Sequence, residues 1–550
     1  MKDLKPMLFS SFKGYTGKQL ISDIVSGIIV AIIALPLSIA LALASGVGPE
    51  EGLYTAIVAG FLISFFGGSR VQIAGPTAAF ATIVAGIVAQ NGMDGLIVAT
   101  VMAGIILILM GVLKLGKLIK FIPYTITTGF TAGIAVTILI GQFKDFFGLT
   151  YPDGVKPIET VEKLEAFFQN ITTINLWAVL VGVIALAVLI VWPKIKYLNK
   201  VPASLVAVLV GIGMVQIFDL QVNTIGDLYT VSSRLPTLKF PGFDFALIRE
   251  MLPDAFTIAV LAAIESLLSC VVADGMTNTK HRSNAELVAQ GIGNIGSALF
   301  GGIPATGAIA RTAANIKSGG RTPIAGMVHA AVLLLILIFL MPYAALIPMP
   351  VIAAILFSVA YNMCQWRPFV RLVKTAPASD IVVLVTTFVL TVLFDLVIAI
   401  VVGIVLACIL FMKRMSDETE IHGWINKEDA QTDDSAKLTA LPKGVCVYEL
   451  SGPLFFGAAD KITEIGVDDS TKCIVLRMRS VSAIDATAMN ALSALYDRCA
   501  ERGITVIFSH VNKQPMQAMQ RAGLAEKVGE DRFCPHIDDA LALVRQIVEK

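Results

Sequence analysis

The stretch GGIPATGAIARTAANIKSGGRTPIAG, residues 301–326, decides how the whole chain is read. It sets Arg311 between a glycine/proline break and a basic turn, Lys317-Ser318-Gly319-Gly320-Arg321, with strongly apolar sequence on both sides. A charge at bilayer depth costs at least about 2.5 kcal/mol, so it normally faces a protein interior or an aqueous cavity. A short helix that begins partway across the bilayer turns its dipole and free N–H groups toward such a cavity, where an anion can be held without a full counter-charge. The stretch therefore predicts an anion site inside a membrane protein.

Composition supports the setting. Of 550 residues, 56% are hydrophobic and 15% charged. Apolar segments near the roughly 20 residues a spanning helix needs recur along the chain. We place fourteen, at 24–45, 52–66, 76–90, 95–113, 122–141, 174–192, 202–218, 254–273, 285–300, 307–317, 323–341, 347–361, 379–394 and 396–413. A net charge of +1 gives no reason to expect a nucleic-acid partner. The seven cysteines lack metal-ligand spacing, and no phosphate loop or nucleophile triad is present, so neither a cofactor nor an enzyme activity is expected. The polar, basic first twenty residues argue against a cleaved signal peptide.

Basic clusters at Lys2/Lys5/Lys13/Lys18, Arg70, Lys114/Lys117/Lys120, Lys194/Lys196/Lys200, Lys280/His281/Arg282, Lys317/Arg321, Arg367/Arg371/Lys374 and Lys413/Arg414 all fall on one face if the N-terminus is cytoplasmic. The loops at 151–172 and 221–250 carry only scattered basic residues, among them Lys156 and Lys163. Both termini are thus expected in the cytoplasm.

The two shortest segments, 76–90 and 307–317, are third and tenth in order, seven apart. Gly75-Pro76-Thr77 opens the first and Gly307-Ala308-Ile309-Ala310-Arg311 the second. Interrupted segments at equivalent places in two halves point to a binding site, and an odd number per half makes the halves inverted. We expect a short N-terminal segment (1–20), a transport domain (21–414, with repeats at about 21–220 and 250–414), a polar linker (415–437) and a small α/β domain (438–550). In the last, β runs such as VCVYELSG and CIVLRMRS alternate with helical patterns.

At this point the residues resemble a family. ALPLSIALALASGVGPEEGLYTAIVAG (34–60), GGSRVQIAGPTAAF (67–80), AAIESLLSCVVADGMTNTKHRSNAELVAQGIGN (262–294) and the Arg311 segment are similar to the SulP family of anion transporters. LSGPLFFGAAD (450–460) and VSAIDATAMNALSAL (481–495) resemble its STAS domain. The resemblance implies a polytopic α-helical protein of fourteen segments in a seven-plus-seven inverted repeat, divided into core and gate. It also implies elevator-like movement, a homodimer, and a regulatory STAS domain with a cytoplasmic protein partner. The family carries sulfate, bicarbonate, chloride and C4-dicarboxylates. AAIESLLS and AIARTAAN are most like its dicarboxylate-type bacterial members, which puts succinate or fumarate ahead of sulfate.

Arg311 and the helix start Gly307, Ala308, Ile309 and Ala310 are the first candidates for binding the anion, the alternative being a structural arginine that pairs with a carboxylate or caps carbonyls. Gly75, Pro76 and Thr77 open the facing half-helix, the alternative being a plain proline-kinked helix. Glu265, with Ser269 one turn on, would repel an anion unless protonated or paired with a cation, which makes it a proton-coupling candidate; a Glu265–Arg311 ion pair is the alternative. Sodium-coupled bicarbonate members resemble this chain but carry an aspartate and a threonine where Glu265 and Ser269 stand, and a threonine where Ile309 stands. Losing that oxygen favours a proton over sodium as the coupling ion. Ser38 and Leu41 either line the same cavity or are ordinary packing. His329 reads as a packed, hydrogen-bonded histidine, Asp395 as a helix cap, and Asp274 with 280–282 as a solvated loop. In the STAS-like tail, Asp485-Ala486-Thr487 replaces with alanine the serine that soluble relatives phosphorylate. An anion channel and a membrane-tethered regulator are the rival classes.

Overall fold

Runs of Ala, Leu, Ile and Val long enough to span a bilayer can satisfy their backbone only as helices, and breaks fall where Gly and Pro release it. The computed structural model describes residues 4–12, 14–117, 122–152, 157–196, 201–240, 244–394, 396–424, 441–468 and 470–548. Asp395, and Lys2, Lys13, Lys120, Lys156 and Lys200, lie outside the described residues. The chain divides into two compact units, Met1–Ile404 and Val405–Lys550.

The first unit is built from α1 (Gly17–Ala44), α2 (Pro49–Phe66), α3 (Ala81–Val112), α4 (Tyr124–Gly141), α5 (Leu176–Val191), α6 (Ala203–Phe218), α7 (Leu252–Thr277), α8 (Ser283–Leu299), α9 (Ile309–Lys317), α10 (Ile324–Ala344), α11 (Met349–Cys364) and α12 (Ala378–Leu393), and α13 (Leu396–Asp417) begins in it and runs past Ile404. Eight of the described helices are long and apolar enough to cross a membrane, while α6 and α12 are shorter apolar helices. The third and fourth expected segments form a single element, α3, broken at Gly92 (φ 66, ψ −166), a backbone conformation open only to glycine. Helices α1, α2, α3, α7, α8, α9 and α10 pack on one another as a core, and α4, α5, α6, α11 and α12 as a second group, the gate.

Helix α8 inverts ordinary amphipathicity. Glu286, Gln290, Asn294 and Ser297, spaced four, four and three, form a fully buried polar stripe. The basic turn after α9 is fastened to α1. Buried Asp23 accepts from Arg321 N (2.8 Å), Thr322 Oγ1 (2.6 Å) and the Tyr15 hydroxyl (2.9 Å). Burial, with that bond to Asp23, pushes the Tyr15 phenol up to about 12.

Three stretches differ from expectation. The 151–172 loop contains a helix, Thr160–Gln169, started by a reciprocal Glu159/Glu162 capping box. Asp274 and 280–282 are not a solvated loop. Asp274 accepts from His281 Nδ1 (2.7 Å), and Arg282 ties to Lys5 O (2.8 Å) and Ser10 Oγ (3.0 Å), so the turn anchors the N-terminal segment. The expected 415–437 linker contains a strand.

That strand belongs to the second unit. With β1 (Ala74–Gly75) and β2 (Thr306–Gly307) in the membrane unit, the tail supplies β3 (Glu420–Trp424), β4 (Val445–Ser451), β5 (Cys473–Ser480), β6 (Thr505–Ser509) and β7 (Phe533–Cys534). The tail sheet has order β3-β4-β5-β6-β7, with β3 antiparallel and the rest parallel. Parallel strands are covered on both faces, so VCVYEL and CIVLRM are near-continuous apolar runs. At the edge, β3 alternates Glu420, His422 and Trp424 with Ile421, which packs on the core. Asp485 caps the Ala486–Glu501 helix by accepting from Ala488 N (2.9 Å) and also holds Phe456 N (2.8 Å).

Candidate functional site

The membrane unit's two broken segments meet backbone to backbone. β1 and β2 pair antiparallel, Ala74 opposite Gly307 and Gly75 opposite Thr306. Each strand leads straight into a helix start. After β1 come Pro76, Thr77 and a 3-10 turn, Ala78–Phe80, into α3; after β2 comes Ala308, extended at φ −92 and ψ 112, then α9. An antiparallel pair so short aims the two starts at one another. Pro76 has no N–H to lose, and Ala308 has no side chain with which to cap. No side chain caps either start, so first-turn N–H groups stay available to a ligand.

Arg311, in the first turn of α9, is only 2% exposed. Its Nη2 donates to the Pro76 carbonyl, while Nε and Nη1 are buried without a partner. A Cβ on Gly75 would run into Nη1, so Gly75 must be glycine for the guanidinium to cross to the facing half-helix. One residue on from Pro76, Thr77 Oγ1 donates to Glu265 (3.0 Å). The hydroxyl that would ordinarily cap α3 is thereby committed to a carboxylate. No ion pair joins Glu265 to Arg311 among the described residues. Ile309 is 42% exposed and Ala310 is exposed as well, so the first turn of α9 faces an opening.

The structure thus brings together Gly75, Pro76, Thr77, Gly307, Ala308, Arg311 and Glu265. Ser269 lies one turn below, buried, its Oγ 3.4 Å from Thr312 Oγ1. Ser38 and Leu41 are not joined to this group by any described hydrogen bond. Both are buried, with the Ser38 hydroxyl unpartnered and its carbonyl pressed where a Cβ on Gly52 would stand. His329 is packed as expected, but neither ring nitrogen has a hydrogen-bond partner.

Sequence reading missed the scaffold that holds the strands. Ala308 N donates to Ile73 O (2.9 Å), and Ile73 N to Thr312 Oγ1 (3.1 Å). Ser266 bonds Thr306 Oγ1 (2.6 Å) and accepts from Gly307 N (3.1 Å). Gln72 donates to Glu286 (2.9 Å), and Cys270 Sγ donates to Gln72 Oε1 (2.7 Å). Glu286, fully buried, also accepts from Gly68 N (2.8 Å), Ser69 N (3.1 Å) and Gln290 (2.9 Å). Four donors on one carboxylate fix the approach to β1. The buried polar stripe of α8 was the available signal.

Comparison with known proteins identifies the family. The sulfate permease family matches residues 20–387 and the STAS domain matches 437–540. The putative sulfate transporter YvdB of Bacillus subtilis (strain 168) is 40% identical over 550 residues, covering 97% of this chain and 99% of its own. The bicarbonate transporter BicA of Picosynechococcus sp. is 32% identical over 544 residues, covering 94% of each. The solved transmembrane domain of a cyanobacterium BicA aligns at TM-score 0.63 and 31% identity, over 72% of this chain and 98% of that one. SLC26A9 aligns at TM-score 0.88 over 100% and 93%, at 19% identity, a likeness of fold. With two uncapped half-helices facing across a buried arginine, and matches over nearly its whole length, the chain belongs to the sulfate permease family and carries a C-terminal STAS domain.

Proposed function

We propose that the protein is a proton-coupled secondary transporter of small anions that works by elevator-type alternating access. The observation that carries this is Arg311, a buried guanidinium with two unpartnered nitrogens set between two uncapped helix starts. An oxyanion there would receive N–H groups from both half-helices together with the arginine fork. The site is built on the core, so moving the core past the gate would carry it from one face to the other. Glu265 is the proton carrier. Its bond to Thr77 links its charge to the start of one half-helix, and Ile309 offers a sodium ion no side-chain oxygen. The substrate we favour is a C4-dicarboxylate, succinate or fumarate. Sulfate and bicarbonate, named for the relatives above, are the second reading. The protein would sit in the bacterial inner membrane as a homodimer with both termini cytoplasmic, its STAS domain dimerising and receiving a cytoplasmic protein partner.

The test is uptake of labelled succinate, sulfate and bicarbonate into proteoliposomes, each with an inward proton gradient, an inward sodium gradient or neither. Uptake of one anion that rises with the proton gradient and ignores sodium is the expected result. Uptake driven by sodium, or indifferent to both gradients, would reject proton coupling. Gly75→Ala should act through Arg311. The new methyl displaces Nη1, and such overpacking costs about 1–3 kcal/mol. We expect uptake to fall at least about tenfold, the rate equivalent of about 1.4 kcal/mol, with the protein still monodisperse on size exclusion. Wild-type uptake by Gly75→Ala would show that the guanidinium need not cross to Pro76.

A further inference from the structure

A second cluster of charges lies away from Arg311. On the face reached by the C-terminal end of α1, a cavity of about 300 Å³ opens between α1, α3, the end of α4 and residues of 142–151 and 157–163. One wall is Ala81, Thr82 and Ala85, the first turns of the half-helix that starts at Thr77. Another carries Lys144, Asp145 and Lys163.

None of these three charges is used in an ion pair among the described residues. Glu162, beside Lys163, does not line the cavity and spends its hydrogen bonds on the backbone, while its charge still acts on Lys163. Its carboxylate accepts from Ile158 N (2.9 Å) and Glu159 N (3.2 Å) in the capping box. Lys163 is half-buried over Gly141, its Nζ 3.9 Å from where a Gly141 Cβ would stand, and burial pushes its amine's pKa down. Lys144 stands 5.0 Å from the centre of the Tyr151 ring, a cation–π contact that holds the amine at the cavity without neutralising it. With two amines and one carboxylate, the cavity carries a net charge of +1. A structural cluster would close Lys163 onto Asp145, and it does not.

We infer that this cavity is a loading site for a doubly charged oxyanion, sulfate or a dicarboxylate, held by Lys144 and Lys163 before it passes Thr82 to the Arg311 site. The inference rests on the transport reading above. Asp145 opposes the anion and keeps its hold weak enough for release. A low-dielectric cavity lined by one excess sign concentrates counter-ions at its mouth.

The test reads the cavity apart from transport. Ala85→Cys places a thiol on the α3 wall, and its labelling by anionic and cationic methanethiosulfonates is compared, with the wild-type protein as the blank. The anionic reagent should react at least about threefold faster than the cationic one. Lys163→Gln in that background should remove the preference, and sulfate or succinate in the medium should slow labelling. Whichever dianion protects at the lower concentration identifies the ligand. In uptake, Lys163→Gln should raise the half-saturating anion concentration about three- to tenfold with little change in maximal rate, and Asp145→Asn should lower it. Equal labelling by both reagents with no protection would overturn the site, as would a Lys163→Gln defect confined to maximal rate. Should wild type take up neither anion, the transport reading fails, and the labelling alone decides whether the cavity binds dianions.

Discussion

Arg311→Ala is expected to abolish anion uptake, by at least about a hundredfold, while leaving the protein folded. The two effects separate because of what the side chain does and does not touch. Its one described hydrogen bond runs to the Pro76 carbonyl, and no carboxylate pairs with it. Removing one member of a buried ion pair strands the other charge and costs about 3–5 kcal/mol. Here no partner is stranded, and the strand pair beneath is held by Ile73, Thr312, Ser266 and Glu286 rather than by the arginine. What is lost is the positive charge and both unpartnered N–H groups, which act only when an anion is present. Losing charge-assisted donors at a dry site typically costs about 2.7–4 kcal/mol, the equivalent of the expected fall in rate. Arg311→Lys should recover part of the uptake, since it restores charge but not the planar fork. Initial-rate uptake and an anion-dependent thermal shift are the measurements. A variant that keeps more than half of wild-type uptake would remove Arg311 from the binding site.

What could be read in the sequence was what local chemistry dictates. Apolar runs gave the helices, because length and composition alone force them. Gly75-Pro76 and Gly307-Ala308 gave the two interrupted starts, because a missing N–H and a missing Cβ can be recognised one residue at a time. What stayed hidden depends on distant partners. Gln72 finds Glu286 across 214 positions, and nothing near either residue announces the pairing. The polar stripe of α8 was visible as spacing but says only that its face is buried, not what it grips. Ser38 illustrates the same dependence, since its carbonyl's close approach to Gly52 joins two helices and is not written in the sequence around either residue. The strand β3 was lost because five residues of mixed character, one of them glycine, become a strand only when an edge such as Val447–Ser451 is offered to them.

Glu265→Gln should uncouple transport without stopping it. Glutamine has nearly the same shape, and its carbonyl oxygen can still accept from Thr77 Oγ1, so the start of α3 keeps its arrangement. What it cannot do is change charge. In the wild-type protein an ionised Glu265 beside the anion site opposes a negative substrate, and a proton relieves that opposition. Proton and anion therefore bind together, and wild-type uptake should fall as pH rises. The glutamine variant is held permanently in the neutral form. It should exchange labelled anion across the membrane at a rate within about threefold of wild type, with a profile flat in pH, because a neutral side chain has no proton to lose. Accumulation against a gradient should drop at least about tenfold, since a carrier that binds no proton gains nothing from the proton gradient. Glu265→Asp, which keeps a titrating group on a shorter stem, should retain driven accumulation in part. Exchange and proton-driven uptake measured on the same vesicles separate the cases. Driven accumulation at the wild-type level in Glu265→Gln would place the coupling proton elsewhere, and loss of exchange together with accumulation would make Glu265 part of the binding site instead of its coupling partner.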